Sequence, residues 1–437
     1  MQLPWKKYGW GTTIFVCLVA AMHCYFLVTA WFNRSYLTDD SIQYLTLAQN
    51  MANEGIFSQS FSPPMVQDLQ RTPGYPVFLL LASRSPIVVL LLQHFMVLGA
   101  AWFLYRIGLD LYGSRIAAAG VKLYLIQPYP MIFASYFLSE VPFVFFLIVA
   151  TWAYLRFWKG AGWPMLSISL VMLSIAALIR PVALPLLVMA VILAMLHSIW
   201  LSQQRLLQAA LAILVPAILL GPWFIRNEHI SGRFVFSTMG EMGMVHGRIG
   251  GLEAWRTGKA MNEHQFYMAG DSIAGGTIPL VQLRTYAIGK QTHETEILSQ
   301  GMTSLTLKFF LAHPWDAIRF EFWAFWQMFK GLGYGWAVAL THSKLAASVA
   351  AFVQLICNVL VLLGAFLALM RRKEWGGAER LVTGAILLMI LVSSAAWADG
   401  RYRMVVDPLI LILAMFTLRR QERIHNGTTW VATASES

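Results

Sequence analysis

Long apolar stretches, broken at short intervals by polar islands, set the pattern of this chain. Crossing a bilayer as a helix takes about 20 apolar residues. Runs of that kind fall near 9–32, 86–105, 115–134, 139–157, 163–179, 182–200, 205–225, 346–370, 380–398 and 403–419, which predicts ten spans. The first run follows Trp5-Lys6-Lys7. It is long for a signal-peptide core and no small-x-small cleavage site follows it, so it reads as an uncleaved span.

Two polar stretches interrupt this series. In the first, 33–85, Asp40 is followed by Tyr44 at i+4 and Ala48 at i+8, which predicts an amphipathic helical turn running to Asn53-Glu54-Gly55. The chain returns to the bilayer through Arg71-Thr72-Pro73-Gly74-Tyr75-Pro76. Its prolines predict extended backbone, and Gly74 permits a close backbone approach. The second stretch, 226–345, mixes charges and glycines without a clear period from Arg226 to Leu305. It then turns aromatic at His313–Lys330, where Asp316, Arg319, Gln327 and Lys330 share one helical face. Such a helix is expected to lie along the membrane interface. Three parts follow: a transmembrane module over 1–225 with its first outer loop at 33–85, a large loop at 226–345, and C-terminal helices with a tail at 346–437.

Composition narrows the class. Charged residues make up 12% of the 437, against about a quarter in soluble domains, and hydrophobic residues 58%, with a mean hydropathy of +0.61. The expected fold class is therefore an all-α polytopic membrane protein. A net charge of +11 raises the question of a nucleic-acid partner. The bases are dispersed between apolar runs, however, which marks them as topology signals and excludes that class. Lys6, Lys7, Arg106, Arg115, Arg156, Lys159, Arg205, Arg371, Arg372, Lys373, Arg380, Arg419, Arg420 and Arg423 fall on one side. Both termini are then cytoplasmic, and the loops at 33–85, 139–140, 180–181, 226–336 and 399–403 face outward. Cys17, Cys24 and Cys357 lie inside apolar runs and support no disulfide or metal spacing.

The outward loops carry the candidate chemistry. Asp39 and Asp40 sit at a helix start at the membrane surface, where burial would raise a carboxylate's pKa and suit it to general-base work; a solvated helix end is the plain alternative. Arg71 offers a planar fork of donors for a lipid phosphate, or snorkels to headgroups. Glu140, beside Ser139 where two apolar runs meet, is costly to leave unpaired; alternatively Ser139 caps the helix and Glu140 answers its dipole. Arg180-Pro181, Arg226-Asn227 and Arg401-Tyr402-Arg403 add bases on the face where few are expected. Together they point to an anionic ligand, most simply a phosphate, with headgroup binding or pairing to Glu228, Asp399 and Asp407 as the alternative for any single one. There is no phosphate-binding P-loop, dinucleotide fingerprint, HExxH or CxxC, so ATP, NAD and structural zinc are unsupported. His293-Glu294-Thr295-Glu296 reads as a solvated loop, and the sequon Asn33-Arg34-Ser35 would be idle in a bacterium.

The order of these features resembles the GT-C superfamily of membrane glycosyltransferases, in the branch of protein O-mannosyltransferases and lipid A aminoarabinose transferases. Asp40 with Tyr44, Arg71 ahead of Pro73 and Pro76, Ser139-Glu140, Arg180-Pro181, Pro222-Trp223 before Arg226-Asn227, and Arg401-Tyr402-Arg403 carry the likeness, from Asp39 to Pro408. Aminoarabinose transferases have a Lys before paired prolines where this chain has Arg71-Thr72-Pro73, so their sugar and acceptor are not transferred. The resemblance implies an inverting glycosyltransferase in a bacterial inner membrane, active on the periplasmic face. It would use a polyprenyl-phosphate-linked sugar donor and a lipid, glycan or protein acceptor. Asp40 would be the base, with Asp39 and Glu140 also catalytic. Arg71, Arg180, Arg226, Arg401 and Arg403 would bind the donor phosphate, and Tyr44, Tyr75, Asn227 and Tyr402 the substrate. No cofactor is required; two nearby acids leave a divalent metal open. A polymerase or ligase using a lipid diphosphate, and a lipid or sugar flippase, are the rival readings. All rest on one expectation: Asp40 and Arg71 converge at one pocket, facing each other across the width of a sugar.

Overall fold

The computed structural model describes residues 10–63, 65–201, 204–274, 305–393 and 400–419. Its regular elements are helices; among the described residues, β-pairing is limited to one isolated bridge, Ser58 with Gln67. The first ten helices are α1 Trp10–Asn33, α2 Asp39–Asn53, α3 Gly74–Leu81, α4 Pro86–Tyr112, α5 Ser114–Leu125, α6 Pro128–Ala134, α7 Glu140–Arg156, α8 Gly162–Ile179, α9 Leu184–Leu201 and α10 Arg205–Ser231.

Among the described residues, six helical segments are long and apolar enough to span a membrane, or seven if the bent pair α5 and α6 forms one span with a 53° break. One of the six, Glu140–Ile179, is 40 residues long. It reverses at a bulge where Gly160 (φ 91°) and Gly162 (φ 74°) take conformations that favour glycine. Ser169 Oγ on α8 donates to the Ala150 carbonyl on α7 at 2.9 Å, so the two halves lie side by side. The last two expected spans are described only in part or in pieces. Gly377–Ser393 has 17 residues, with 394–399 outside the description, and the final run divides into Gly400–Met404 and Asp407–Met415.

That final helix is the hub. Every residue from Asp407 to Met415 is buried, as an all-round apolar helix requires. Gly108 and Gly120 make the groove for Met415: a Cβ would lie 3.2 Å and 2.3 Å, respectively, from its sulfur. The Gly400–Met404 turn thus stands directly on a fixed post. In contrast, the Lys344–Met370 helix leaves Leu345, Val349, Phe352, Leu360, Leu363 and Phe366 exposed, the surface expected against lipid tails.

The polar segments differ from expectation in two places. Pro73–Pro76 is not extended: Pro73 (φ −77°, ψ −13°) leads into α3, and Pro76 sits in its first turn, where no backbone N–H is needed. The described part of 226–274 is largely helical, including Met239–Met242, Gly251–Arg256 and Glu263–Ala274. Its glycines serve close packing: a Cβ on Gly250 would fall 1.9 Å from the Phe266 carbonyl oxygen. The aromatic helix forms at Pro314–Lys330, burying Ala317, Phe320, Ala324 and Met328 while leaving Trp315, Phe322 and Trp326 exposed.

Candidate functional site

Thr38 begins the site by capping α2; its hydroxyl accepts from the Ser41 N–H at 3.3 Å. The helix runs to Asn53 with Tyr44, Leu47 and Ala48 on its buried face, and Gly55 (φ 68°) follows its end. Asn50 then ties the loop back to α2, donating to the Ser58 and Ser60 carbonyls at 2.8 and 2.9 Å. Farther along, Asp68 accepts from the N–H groups of Gln70 and Arg71 at 2.9 and 2.7 Å. This turn aims the Arg71 side chain at α2.

Gly74 sets the next contact. A Cβ there would lie 2.6 Å from the Leu178 carbonyl carbon and oxygen, so α3 meets the end of α8 backbone to backbone. Two residues later Arg180 ends α8 in an extended conformation (φ −141°, ψ 121°), as a residue before proline prefers. Arg71 and Arg180 are thereby brought to the same spot. Glu140 arrives from the first turn of α7 and Arg401 from the turn above the central helix.

These side chains form one closed network. Arg71 Nη2 is 2.6 Å from Asp40 Oδ1, and Arg401 Nη1 is 2.7 Å from Asp40 Oδ2. Arg180 Nη1 is 2.7 Å from Glu140 Oε1, an oxygen that Arg401 Nε also contacts. Neutral groups complete it. Arg71 donates to Gln43 Oε1 at 2.7 and 3.1 Å and to the Tyr44 hydroxyl at 3.2 Å. Ser139 Oγ stands 3.2 Å from the Tyr44 hydroxyl and accepts from Arg180 at 3.0 Å. Ser139 therefore links the two halves and makes no side-chain cap to α7. Glu140 is fully buried, and its Oε2 has no hydrogen-bond partner among the described residues. A buried carboxylate oxygen of that kind calls for a donor.

Electrostatics reverses one expectation. Burial alone would raise the Asp40 pKa, but the guanidinium groups of Arg71 and Arg401 outweigh it and hold the carboxyl well below the usual carboxylate range. Asp40 is not a ready base while both contacts persist. Nor do Asp40 and Arg71 face each other across a sugar-sized gap; they touch.

Several candidates lie elsewhere. Asp39 is exposed and makes no ion pair among the described residues. Arg226 clamps the first loop, donating to the Asp68 carbonyl at 2.7 Å and Gln67 Oε1 at 2.9 Å, with its guanidinium over Trp223. Asn227 holds the next turn through the Val235 and Phe236 carbonyls. Arg403 is buried against Asp407 at 2.8 Å, the pairing alternative named for it above. Tyr75 lies one layer down, edge-on to Tyr44 and donating to Gln93 Oε1 at 2.9 Å. Tyr402 lies under the Arg180 guanidinium. Conversely, sequence reasoning overlooked Gln43, Asp68 and Trp336, the last with its ring 5.7 Å from the Arg401 guanidinium. Asp68 had a usable signal, an acid three residues before Arg71. The acids of 293–296 and Asp399 lie outside the described residues, and no group of three or more His, Cys, Asp or Glu suited to a metal occurs among the described ones.

No protein-family model and no curated protein matches the sequence. Among solved structures, the chain is similar to the crystal structure of ArnT from Cupriavidus metallidurans bound to undecaprenyl phosphate. The identity is 14% over 93% of this chain and 77% of that one, with a TM-score of 0.43. It is similar also to the same protein in the apo state, at 14% identity over 92% and 77% of the two chains and a TM-score of 0.39. Likeness at this level carries no chemistry, which has to come from the site itself.

Proposed function

We propose that this chain is a membrane glycosyltransferase that moves a sugar from a polyprenyl-phosphate donor to an acceptor hydroxyl. The observation that carries this reading is the convergence of Asp40, Arg71, Glu140, Arg180 and Arg401, from five separate elements, into one network at the ends of membrane-length helices. Three guanidinium groups around two carboxylates suit a reaction that takes up a proton and releases an anion. The opposite end of the bundle carries Arg156 paired with Asp110 at 3.4 Å and Arg371 paired with Glu374 at 2.7 Å. The positive-inside bias supports a cytoplasmic position for that end, and with it a periplasmic site.

In the reaction, the acceptor oxygen attacks the anomeric carbon as the bond from that carbon to the phosphate oxygen breaks. The proton passes to Asp40, the bonding pair leaves with the polyprenyl phosphate, and the anomeric configuration inverts. The closed network supports an order of events. A donor phosphate competes with Asp40 for Arg71 and Arg401, and each guanidinium that turns to phosphate removes a charge holding the carboxyl acidic. The donor thus prepares its own base. Glu140, kept by Arg180, offers its free oxygen to a hydroxyl of the sugar or acceptor.

The test is donor cleavage by the purified chain with lipid monophosphate and lipid diphosphate sugars. Release of polyprenyl phosphate from the monophosphate donor, lost in Asp40→Asn with folding intact, is the expected result. Cleavage of diphosphate donors only would replace this reading with that of a polymerase or ligase, and normal turnover by Asp40→Asn would remove the base.

A further inference from the structure

A cavity of about 330 Å³ opens beside the ion network, between the end of α1 and the Tyr334–Thr341 helix. It shares a wall with the network, because Trp336 lines the cavity and also carries the Arg401 guanidinium on its ring. Thr38, the cap of the helix bearing Asp40, lines it as well. Tyr136 also lines it, fixed by donating to the Trp336 carbonyl at 2.7 Å. Among the described residues no acid lines it, and the ionisable side chains that do, apart from Tyr136, are Arg34 and His342. Neither makes a side-chain hydrogen bond or ion pair among the described residues, and both are exposed.

The backbone adds an independent sign. Arg34 (φ 51°) and His342 (φ 53°) occupy the left-handed region just past helix ends, where glycine is the ordinary choice. Two long, hydrogen-bonding side chains are kept at positions where none would be easier, and both line the same cavity. Aromatic walls, hydroxyl and amide groups, and cationic donors without acids match a sugar ring bearing a negative substituent.

We infer that this cavity is the acceptor subsite and that it takes a sugar carrying a phosphate or carboxylate group, held by Arg34 and His342. The acceptor role rests on the transferase reading above; the ligand class rests on the cavity alone. Saturation-transfer NMR on the full chain in detergent separates the two, using methyl glucoside, methyl glucuronide and glucose 6-phosphate as probes. Both anionic probes, or the one whose group the cavity selects, should bind at least about tenfold more tightly than the neutral one, a difference of about 1.4 kcal/mol. Arg34→Ala should erase the preference and Arg34→Lys retain it. Arg84→Ala, at another left-handed arginine outside the cavity lining, should leave it intact. Equal binding of all three probes, or an undiminished preference in Arg34→Ala, overturns the ligand class. Anion preference in a chain that cleaves no donor overturns the acceptor role together with the transferase reading, whereas donor cleavage without the preference overturns the ligand class alone.

Discussion

Arg401 and Arg403 sit two residues apart on one short helix and do opposite things. Arg403 is 2% exposed and takes a partner four residues on: Asp407 accepts two of its N–H groups at 2.8 and 3.0 Å. The Phe329 carbonyl and Asn358 Oδ1 take two more. Arg401 reaches Glu140, 261 positions away, and Asp40 farther still. The first takes its carboxylate from the next helical turn and fastens its own turn to the central helix. The second is long-range, shares its acids with Arg71 and Arg180, and leaves one carboxylate oxygen of Glu140 unused. Identical chemistry thus serves scaffold or site according to who supplies the partners. Arg226, saturated by the first loop, belongs with Arg403.

Truncating the two arginines should break this contrast most sharply if it is wrong. Arg403→Ala leaves Asp407 buried without its cation, a change worth about 3–5 kcal/mol. The variant should aggregate or lose most of its thermal stability in detergent. Arg401→Ala leaves Asp40 with Arg71 and Glu140 with Arg180, so it should fold; with Arg401 receiving the donor phosphate as proposed, sugar transfer falls by about 100-fold or more. The reverse pattern would exchange their roles.

Gly74→Ala comes next. Its Cβ would fall 2.6 Å from the Leu178 backbone, which must shift, at about 1–3 kcal/mol. Because that contact joins Arg71 to Arg180, kcat should drop by roughly tenfold, measured as donor turnover at saturation. Arg226→Gln should cost less, about 1–2 kcal/mol in thermal unfolding, with the donor KM unchanged. A marked rise in KM would return Arg226 to the phosphate site.

The smallest effect is in pH. Asp40 has a folded-state pKa below its unfolded value, so the stability it contributes is present above about pH 4, the unfolded carboxylate value, and fades as pH falls through the folded one. The stability gap between the unaltered chain and Asp40→Asn, read as the difference in Tm, should stay constant from pH 7 to 5 and narrow only below about pH 4. A gap that instead shifts in favour of the unaltered chain as pH falls from 7 to 5 would mean that burial, and not the two guanidiniums, sets the state of the carboxyl.

Asp40, Arg71, Glu140, Arg180 and Arg401 were legible in the sequence because ionisable residues at the ends of apolar runs are expensive without a reason. What the sequence withheld was partnership. Nothing in Arg401-Tyr402-Arg403 says that one guanidinium turns outward and the other is met by Asp407, and Arg226 reads like Arg180 until the 57–68 loop folds over it. Gln43, uncharged on an amphipathic helix, gave no signal at all. The prolines at 73 and 76 were misread because proline favours both extended backbone and a helix's first turn, and packing against α8 decided for the helix. The glycines of 243–270 looked like loop residues, whereas several allow helices to touch.

If the Asp40 network receives a lipid phosphate, the purified chain must tell undecaprenyl phosphate from undecaprenol, and native mass spectrometry reads the two affinities. The phosphate should be preferred by about tenfold or more, with the preference abolished in Arg71→Ala and retained in Arg226→Gln. Equal affinity for the two lipids, or a preference that survives Arg71→Ala, would mean that the network does not bind the phosphate.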